Sequence, residues 1–256
     1  MTFTADSRLV SAVHPAENKE PRRDGIKPSL LILHYTGMSS AAKAIDWLSR
    51  AESGVSCHYV IDEAGEITQL VPEELRAWHA GASYWRGETD INSHSIGIEI
   101  QNPGHQDGYP DFPRAQMDAV IALGKDITRR HAMAADAVLA HSDVAPGRKI
   151  DPGEKFSWMH LAKAGLGFWV RPSFVRLDDP GLGRGDCDPA IARAQGYLAA
   201  YGYNVEPTGV LDENTEKVLT AFQLHFRSRR VDGRLDRSTE ATLERLVEAS
   251  RRRNAA

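Results

Sequence analysis

The residues from 141 to 153 decide how this chain is interpreted, and they read His141-Ser142-Asp143-Val144-Ala145-Pro146-Gly147-Arg148-Lys149-Ile150-Asp151-Pro152-Gly153. The apolar residues at 137–140 predict a short buried strand directly before them. Prolines and glycines then restrict the segment, which predicts a loop and not a helix. A histidine at a strand end, followed by an ammonium group and a carboxylate on a stiffened loop, suits a metal ion and a developing negative charge. A solvated polar turn is the alternative.

The composition is that of a soluble globular protein. The chain has 256 residues, of which 26% are charged and 41% are hydrophobic, enough for one large and one small domain. Its net charge of -4 argues against nucleic acid or an anionic membrane as a partner. We expect no membrane span and a cytoplasmic location, because no apolar run is long enough and no export signal is seen. Two cysteines are too few for a disulfide framework.

The beginning of the chain is rich in charge and contains Pro15 and Pro21. We expect an extended arm over residues 1–27 and an ordered structure from Pro28 onward. Residues 29–37 form an apolar run, which predicts an interior strand covered on both faces. His34 lies where that strand ends, and a structural histidine is the alternative to a metal ligand.

Shorter elements follow. Ser39 and Ser40 are candidate caps for an amphipathic helix, and residues 58–62 and 67–71 flank a turn and predict a hairpin. Trp78 and His79 then begin an irregular aromatic segment. Such rings suit the wall of a cleft for a sugar or peptide, and ordinary loop packing is the alternative.

Residues 95–101 alternate strictly between large apolar and other side chains. The isoleucines at 96, 98 and 100 point to one face, and Gly97 and Glu99 point to the other. Because an unpaired buried carboxylate is costly, Glu99 lies either on an open face or in a cleft. A helix over about 114–131 follows, with apolar residues at helical spacing.

Three predicted strands therefore end at or near His34, Glu99 and His141. In sheets with helical crossovers, ligands collect beyond the carboxyl ends of the strands. Two imidazoles and one carboxylate are a known set of ligands for catalytic zinc, with a fourth position left for water. Glu99 then remains as an acid or base, and Lys149 as a cation.

Five runs together resemble the zinc-dependent N-acetylmuramoyl-L-alanine amidases of the bacteriophage lysozyme-like and peptidoglycan-recognition group. They lie at 33–36, 58–62, 78–81, 95–99 and 141–153, and the resemblance extends from about Pro28 to Trp169. It implies one Zn2+ ion per chain held by His34, His141 and Asp151, a catalytic Glu99, and an oxyanion-stabilising Lys149. Some members have cysteine as the third ligand, where this chain has Asp151. Non-catalytic members lack a ligand or the acidic residue, and none is missing here.

The resemblance implies hydrolysis of the amide between the lactyl group of a muramic acid and the L-alanine of the stem peptide. Its implied partner is a muropeptide or peptidoglycan. Two different classes of protein stay open: a recognition protein that only binds, and a zinc peptidase that cuts within the stem peptide. For His58 and His79 a packing role is the alternative to substrate contact. The candidate substrate contacts are Tyr35, His58, Trp78, His79 and Asn102.

After Trp169 the composition of the chain changes. A linker rich in glycine, proline and aspartate is expected over 176–187, after a catalytic domain at 28–175. A cap at Asp188 begins a helical domain over 188–256, and a turn, an aspartate and a helix recur there at an offset of 24 residues. This pattern resembles the small three-helix peptidoglycan-binding domain, and a generic helical appendage is the alternative. Arg251-Arg252-Arg253 is expected to be a solvated tail.

The predicted fold class is α/β, with a mixed central β-sheet flanked by helices and a small C-terminal three-helix domain. A domain that binds the cell wall does not agree with the expected cytoplasmic location. A cytosolic amidase of peptidoglycan recycling that acts on 1,6-anhydro-muropeptides resolves this disagreement. An exported, periplasmic amidase that acts on intact peptidoglycan is the alternative. No oligomeric state is predicted.

Overall fold

The computed structural model describes residues 3–254, which contain eight strands and eight α-helices. The strands are β1 (Ala12–Val13), β2 (Lys19–Pro21), β3 (Leu30–Tyr35), β4 (Tyr59–Ile61), β5 (Ile67–Gln69), β6 (Leu75–Ala77), β7 (Ser95–Ile100) and β8 (Val138–Ala140). The helices are α1 (Ala41–Ser49), α2 (Ile91–His94), α3 (Arg114–Arg130), α4 (His141–Val144), α5 (Trp158–Lys163), α6 (Pro189–Tyr201), α7 (Glu213–Phe226) and α8 (Arg237–Asn254). Within residues 3–254, no helix combines the length and apolarity needed to cross a membrane.

Six strands form the central sheet in the order β1-β5-β4-β7-β3-β8. All neighbours are parallel except β4 and β5, which are the antiparallel hairpin predicted from the sequence. Strands β2 and β6 form a separate antiparallel pair. The predicted mixed sheet with flanking helices is confirmed.

The side chains of the central strands alternate between two cores. Leu31, Leu33 and the three isoleucines of β7 pack with α3 and α5 on one face. On the other face, α1 covers the sheet at Val60 of β4. Ile32 of β3 and Leu139 of β8 pack there against the C-terminal helices α6, α7 and α8. The cleft lies on the face of Glu99, beside α1 and the residues that follow β3 and β8.

The C-terminal helices repeat one local arrangement. In the first copy, the side chain of Gln195 accepts a hydrogen bond from the backbone N–H of Gly209 and donates to the carbonyl of Val210. In the second copy, Gln223 makes the same contacts with Gly233 and Arg234. Each glutamine thus ties one helix to the turn before the next, and these two turns, at Gly209 and Gly233, are the ones that recur at an offset of 24 residues.

The N-terminal residues are not the extended arm that the sequence predicted. Strand β1 pairs with β5, and β2 pairs with β6. Arg22 is buried because its guanidinium group donates to the carbonyl oxygens of Glu73, Asn92 and Ser93. The charge of this segment is therefore compensated by tertiary contacts, and ordered structure begins well before Pro28.

Two further predictions were wrong. The segment after β8 begins with one helical turn, α4, because the Asp143 carboxylate accepts a hydrogen bond from the backbone of Ala140 at 2.8 Å and Pro146 comes only after that turn. The arginines at 251–253 continue α8 and do not form a separate tail; Arg251 and Arg252 are exposed, and Arg253 is not. Arg253 pairs with Asp136 at 2.5 Å and packs over the ring of Phe168.

Candidate active site

Three side chains from separate segments converge at one end of the sheet. Strand β3 presents His34, α4 begins with His141 directly after β8, and Asp151 follows in the loop. The Nδ1 atoms of the two histidines are 2.8 Å apart. The Asp151 Oδ2 atom lies 3.0 Å from Nδ1 of His141 and 3.3 Å from Nδ1 of His34. All three residues are buried.

This arrangement fits a zinc ion. The three donor atoms are the ones that catalytic zinc sites combine, with two imidazole nitrogens and one carboxylate oxygen. Ligands of a tetrahedral zinc at about 2.1 Å are separated by roughly 3.4 Å, which is close to the spacing seen here. The three ligand atoms meet with no fourth protein ligand among residues 3–254, as in zinc sites that keep an open position.

The protonation states of these residues also favour metal binding. Burial lowers the pKa of His34 to about 4, and the neighbouring His141 acts in the same direction. Burial raises the pKa of Asp151, but His141 and His34 outweigh it and hold that pKa well below its usual range. At neutral pH, a neutral imidazole and an ionised carboxylate therefore offer their lone pairs to a metal ion.

The outer ring nitrogen of each of these two histidines has a contact of its own. Nε2 of His34 lies 3.0 Å from Nδ1 of His79, and Nε2 of His79 lies 3.1 Å from the hydroxyl group of Ser95. Nε2 of His141 lies 3.2 Å from the carbonyl oxygen of Ala80. These contacts leave both Nδ1 atoms directed toward Asp151, and such outer partners fix ring orientation in metal sites.

Glu99 is placed beside this cluster by strand pairing. It lies opposite His34 in the parallel register of β3 and β7, on the same face as Gly97. Its Oε2 atom is buried and has no hydrogen-bond partner among residues 3–254. Burial raises the pKa of Glu99 well above its usual value, the charge of Asp151 adds to this, and Lys149 opposes it. Such a carboxyl group holds a proton more readily than an exposed glutamate.

A cleft of about 620 Å³ opens over these groups. Glu99, His141 and Asp151 form part of its lining, together with Lys149 and Arg148. Its rim is partly apolar, since Trp47, Val55 and Ile150 line it and are exposed despite their size. The cleft is therefore an open groove with a polar floor and an apolar rim.

The candidate substrate contacts divide into two groups. Tyr35, Trp78 and His79 line the cleft. His58 does not: it is fully buried, accepts a hydrogen bond from the backbone of Gly97, and has the packing role that was the alternative for it. Asn102 is also buried, with its amide group bonded to the carbonyl of Pro110, so it shapes a loop and does not face the cleft. Neither His58 nor Asn102 therefore lines the cleft in this structure.

Sequence reasoning missed two residues of the site. The guanidinium group of Arg148 donates to the carbonyl oxygens of Ala80 and Ala82 and ties the loop of Asp151 to the segment of His79. Ser95 accepts the last hydrogen bond of the histidine chain and donates to the carbonyl of Ile91 at 2.6 Å. Both residues lie in recognised sequence motifs, but the role of Arg148 gives no local signal because its partners are more than 60 residues away.

The fold and the site together are those of a hydrolase, with a buried group of two histidines and one aspartate that could hold a metal ion next to a glutamate. Residues 24–154 match the family profile described as N-acetylmuramoyl-L-alanine amidase, and residues 187–243 match a putative peptidoglycan binding domain. The chain belongs to the N-acetylmuramoyl-L-alanine amidase family. The resemblance inferred from the sequence motifs is thereby confirmed.

The relatives are similar over most of the chain. AmiD of Escherichia coli (strain K12), an N-acetylmuramoyl-L-alanine amidase, is 39% identical over 86% of this chain and 82% of its own. AmpD of Enterobacter cloacae, a 1,6-anhydro-N-acetylmuramyl-L-alanine amidase, is 32% identical over 59% of this chain and 88% of its own.

Two solved structures are similar to the whole fold. The complex of E. coli AmiD with anhydro-N-acetylmuramic acid-L-Ala-D-gamma-Glu-L-Lys has a TM-score of 0.73 and 36% identity, over 92% of this chain and 93% of that one. AmpDh3 from Pseudomonas aeruginosa in complex with an anhydromuramic pentapeptide has a TM-score of 0.71 and 34% identity, over 90% of this chain and 95% of that one.

Proposed function

We propose that this amidase uses one zinc ion to hydrolyse the amide between the lactyl group of 1,6-anhydro-N-acetylmuramic acid and the L-alanine of the stem peptide. One observation carries the proposal. Three buried donor atoms, from His34, His141 and Asp151, converge beside a buried and unpaired oxygen of Glu99 at the floor of the cleft. Such a constellation has the parts that metal-assisted amide hydrolysis requires.

His34, His141 and Asp151 would hold the metal. When bound at such a site, a zinc ion acidifies a water molecule and polarises a carbonyl oxygen. The protein contributes rigidity, because His79 and the carbonyl of Ala80 fix the two imidazole rings from behind.

Glu99 is the proton carrier of the proposed reaction. It accepts a proton from the attacking water as the oxygen–carbon bond forms, and it returns a proton to the nitrogen of L-alanine as the carbon–nitrogen bond breaks. A raised pKa suits this exchange, because an acid–base group works best when its pKa lies near the working pH. The unpaired Oε2 atom is free to make both contacts.

Lys149 supplies a positive charge at the edge of the same cleft. Its ammonium group lowers the pKa of both Glu99 and His34, so its field reaches the reacting groups. We assign it to the tetrahedral oxyanion, where a preorganised cation is most effective. Tyr35 and Trp78 line the cleft and are proposed substrate contacts.

The anhydro-sugar substrate is supported by the relatives. The AmiD and AmpDh3 complexes each contain an anhydromuramic peptide, and both folds match nearly the whole chain. Anhydro-muropeptides are soluble fragments of peptidoglycan, so we propose a role in peptidoglycan recycling. We also propose that the region of the peptidoglycan-binding match, residues 187–243, contacts the glycan or peptide. The expected cytoplasmic location stays a prediction, which fractionation at native expression tests.

Product analysis tests this function. The purified protein is incubated with an anhydro-muropeptide, with the same peptide on a reducing muramic acid, and with intact sacculi, and the products are identified by mass spectrometry. We expect intact stem peptide and free sugar, the highest kcat/KM for the anhydro substrate, and loss of turnover with a chelator. Release of single amino acids would instead identify a stem-peptide peptidase.

Two more outcomes of the same assay would point to a different function. Binding of the muropeptide without any product would identify a recognition protein. Cleavage of the same amide with higher kcat/KM on sacculi would support an amidase that acts on intact peptidoglycan and contradict the anhydro preference.

A further inference from the structure

The carboxylate of Asp143 contacts the C-terminal region from the same short helix that carries His141. Asp143 lies in α4, two residues after His141, and its side chain is fully buried. Its Oδ2 atom accepts a hydrogen bond from the backbone N–H of Ala140 at 2.8 Å. The same oxygen lies 2.7 Å from Nδ1 of His225, and Oδ1 accepts from the hydroxyl group of Tyr203 at 2.5 Å. Two of the three partners therefore belong to the C-terminal region.

Helix α4 controls the position of two metal ligands. It begins with His141, and the backbone N–H of Ser142 donates to the carbonyl oxygen of Asp151 at 3.1 Å. A shift of α4 would therefore move the imidazole of His141 and the loop of Asp151 together. A helix of four residues has little stability of its own, so its position depends on the contacts of its side chains.

The two partners of Asp143 are themselves held firmly. The ring of His225 stacks on Trp158 of α5, with centroids 3.7 Å apart, and on Phe226 at 3.9 Å. The ring of Tyr203 packs edge-on against Trp85 at 5.1 Å. Both residues are buried. Tyr203 belongs to the core that the C-terminal helices share with β3 and β8, and His225 stacks on Phe226 of that core. His225 and Tyr203 therefore contact Asp143 from fixed positions.

Loss of a hydrogen-bond donor to the Asp143 carboxylate is energetically unfavourable. A buried carboxylate needs its hydrogen bonds, and removal of one donor leaves an oxygen atom without compensation. The carboxylate can respond by turning toward the remaining donors, which moves α4 with it.

We propose that His225 and Tyr203 are positioning residues of the amidase, which hold Asp143 and thereby set the geometry of the metal ligands on α4 and its loop. The C-terminal helices then act as a fixed part of the catalytic unit and not only as a binding module. This inference rests on the proposed zinc site.

Two tyrosines provide a matched test. Tyr203→Phe removes the hydroxyl group that contacts Asp143. Tyr201→Phe removes a hydroxyl group of the same interface that is buried and has no partner among residues 3–254. Zinc affinity is measured by competition with a chelator, next to the unfolding temperature of the zinc-free protein. We expect about tenfold weaker zinc binding in Tyr203→Phe and wild-type binding in Tyr201→Phe.

A second pair separates positioning from packing. His225→Leu removes the donor to Asp143, and His225→Gln retains an N–H group that can donate. Zinc affinity is expected to fall in the leucine variant and to be at least partly restored in the glutamine variant. If Tyr203→Phe and His225→Leu lower the unfolding temperature but bind zinc as tightly as Tyr201→Phe, their role is only structural and the inference is wrong. Failure of the wild-type protein to bind zinc at all would contradict the proposed site itself.

Discussion

His34 and His79 form a hydrogen-bonded pair, with Nε2 of the first 3.0 Å from Nδ1 of the second. If Nδ1 of His34 faces the metal, its proton is on Nε2 and is donated to His79. His79 then carries its own proton on Nε2 and donates to Ser95, which donates to the carbonyl of Ile91. Burial lowers the pKa of His79 well below its usual value, so the ring stays neutral. A neutral ring can accept one hydrogen bond and donate another.

The first prediction concerns this pair. His79→Leu should weaken zinc binding by about 10- to 100-fold, because the acceptor that fixes the tautomer of His34 is lost. His79→Asn should retain part of the affinity, since its amide oxygen can accept the same hydrogen bond. Chelator competition measures both variants. Equal zinc affinity in His79→Leu and the wild type would show that the contact does not orient the ligand.

The second prediction concerns Gly97, whose small size makes room for His79. A Cβ atom at position 97 would lie 2.6 Å from ring atoms of His79. Gly97→Ala should therefore displace that ring and weaken zinc binding about tenfold. Gly196→Ala is the matched control, because its Cβ in α6 meets nothing within 4 Å. It should leave zinc affinity unchanged and raise the free energy of unfolding by about 0.5–1 kcal/mol.

The third prediction concerns the cation of the cleft. Lys149→Met should lower kcat by about 10²- to 10³-fold and leave KM nearly unchanged, because the charge acts on the oxyanion and not on the bound substrate. Steady-state kinetics at saturating zinc measure the effect. Lys163→Met, on α5 outside the cleft, is the control and should retain wild-type kinetics. A change in KM alone would assign Lys149 to substrate binding.

The fourth prediction concerns acid stability. Burial raises the pKa of Glu73, but hydrogen bonds from Arg130, His131 and Tyr59 outweigh it and hold that pKa at about 2. Because this pKa lies below the usual value of 4.5, the stabilisation is complete above about pH 4.5 and is lost as the pH falls toward 2.

Urea unfolding of the zinc-free protein tests this relation. Glu73→Gln should be less stable than the wild type at pH 7, by on the order of 3 kcal/mol. The difference should shrink to roughly half at pH 3. A difference that does not change between the two pH values would show that the pKa of Glu73 is not lowered in the folded protein.

Local patterns predicted much of the fold and the site. The alternation in residues 95–101 placed Glu99 and Gly97 on one face, and β7 has that arrangement. Apolar runs that end in a histidine predicted β3 and β8, and Ser40 and Asp188 are caps as expected. These features depend on neighbours in the chain, so the sequence is sufficient to predict them.

Contacts between distant residues could not be predicted. His58 and His79 are both histidines beside apolar residues, and only tertiary packing makes one a partner of Arg22 and the other a partner of His34. Asp143 lies in a recognised motif, but its partners His225 and Tyr203 come from 60 or more residues away. The buried state of Arg22 follows from three carbonyl groups that lie at least 51 residues further along the chain.

Titration of the metal-free protein with zinc, with anhydro-muropeptide turnover measured at each step, tests the central claim most directly. We predict no turnover without metal, a linear rise, and a plateau at one zinc ion per chain. Asp151→Asn should require far more zinc, because a neutral amide is a poor ligand. Full turnover in the metal-free protein, or a titration of Asp151→Asn that matches the wild type, would contradict the assignment of His34, His141 and Asp151 as the catalytic metal site.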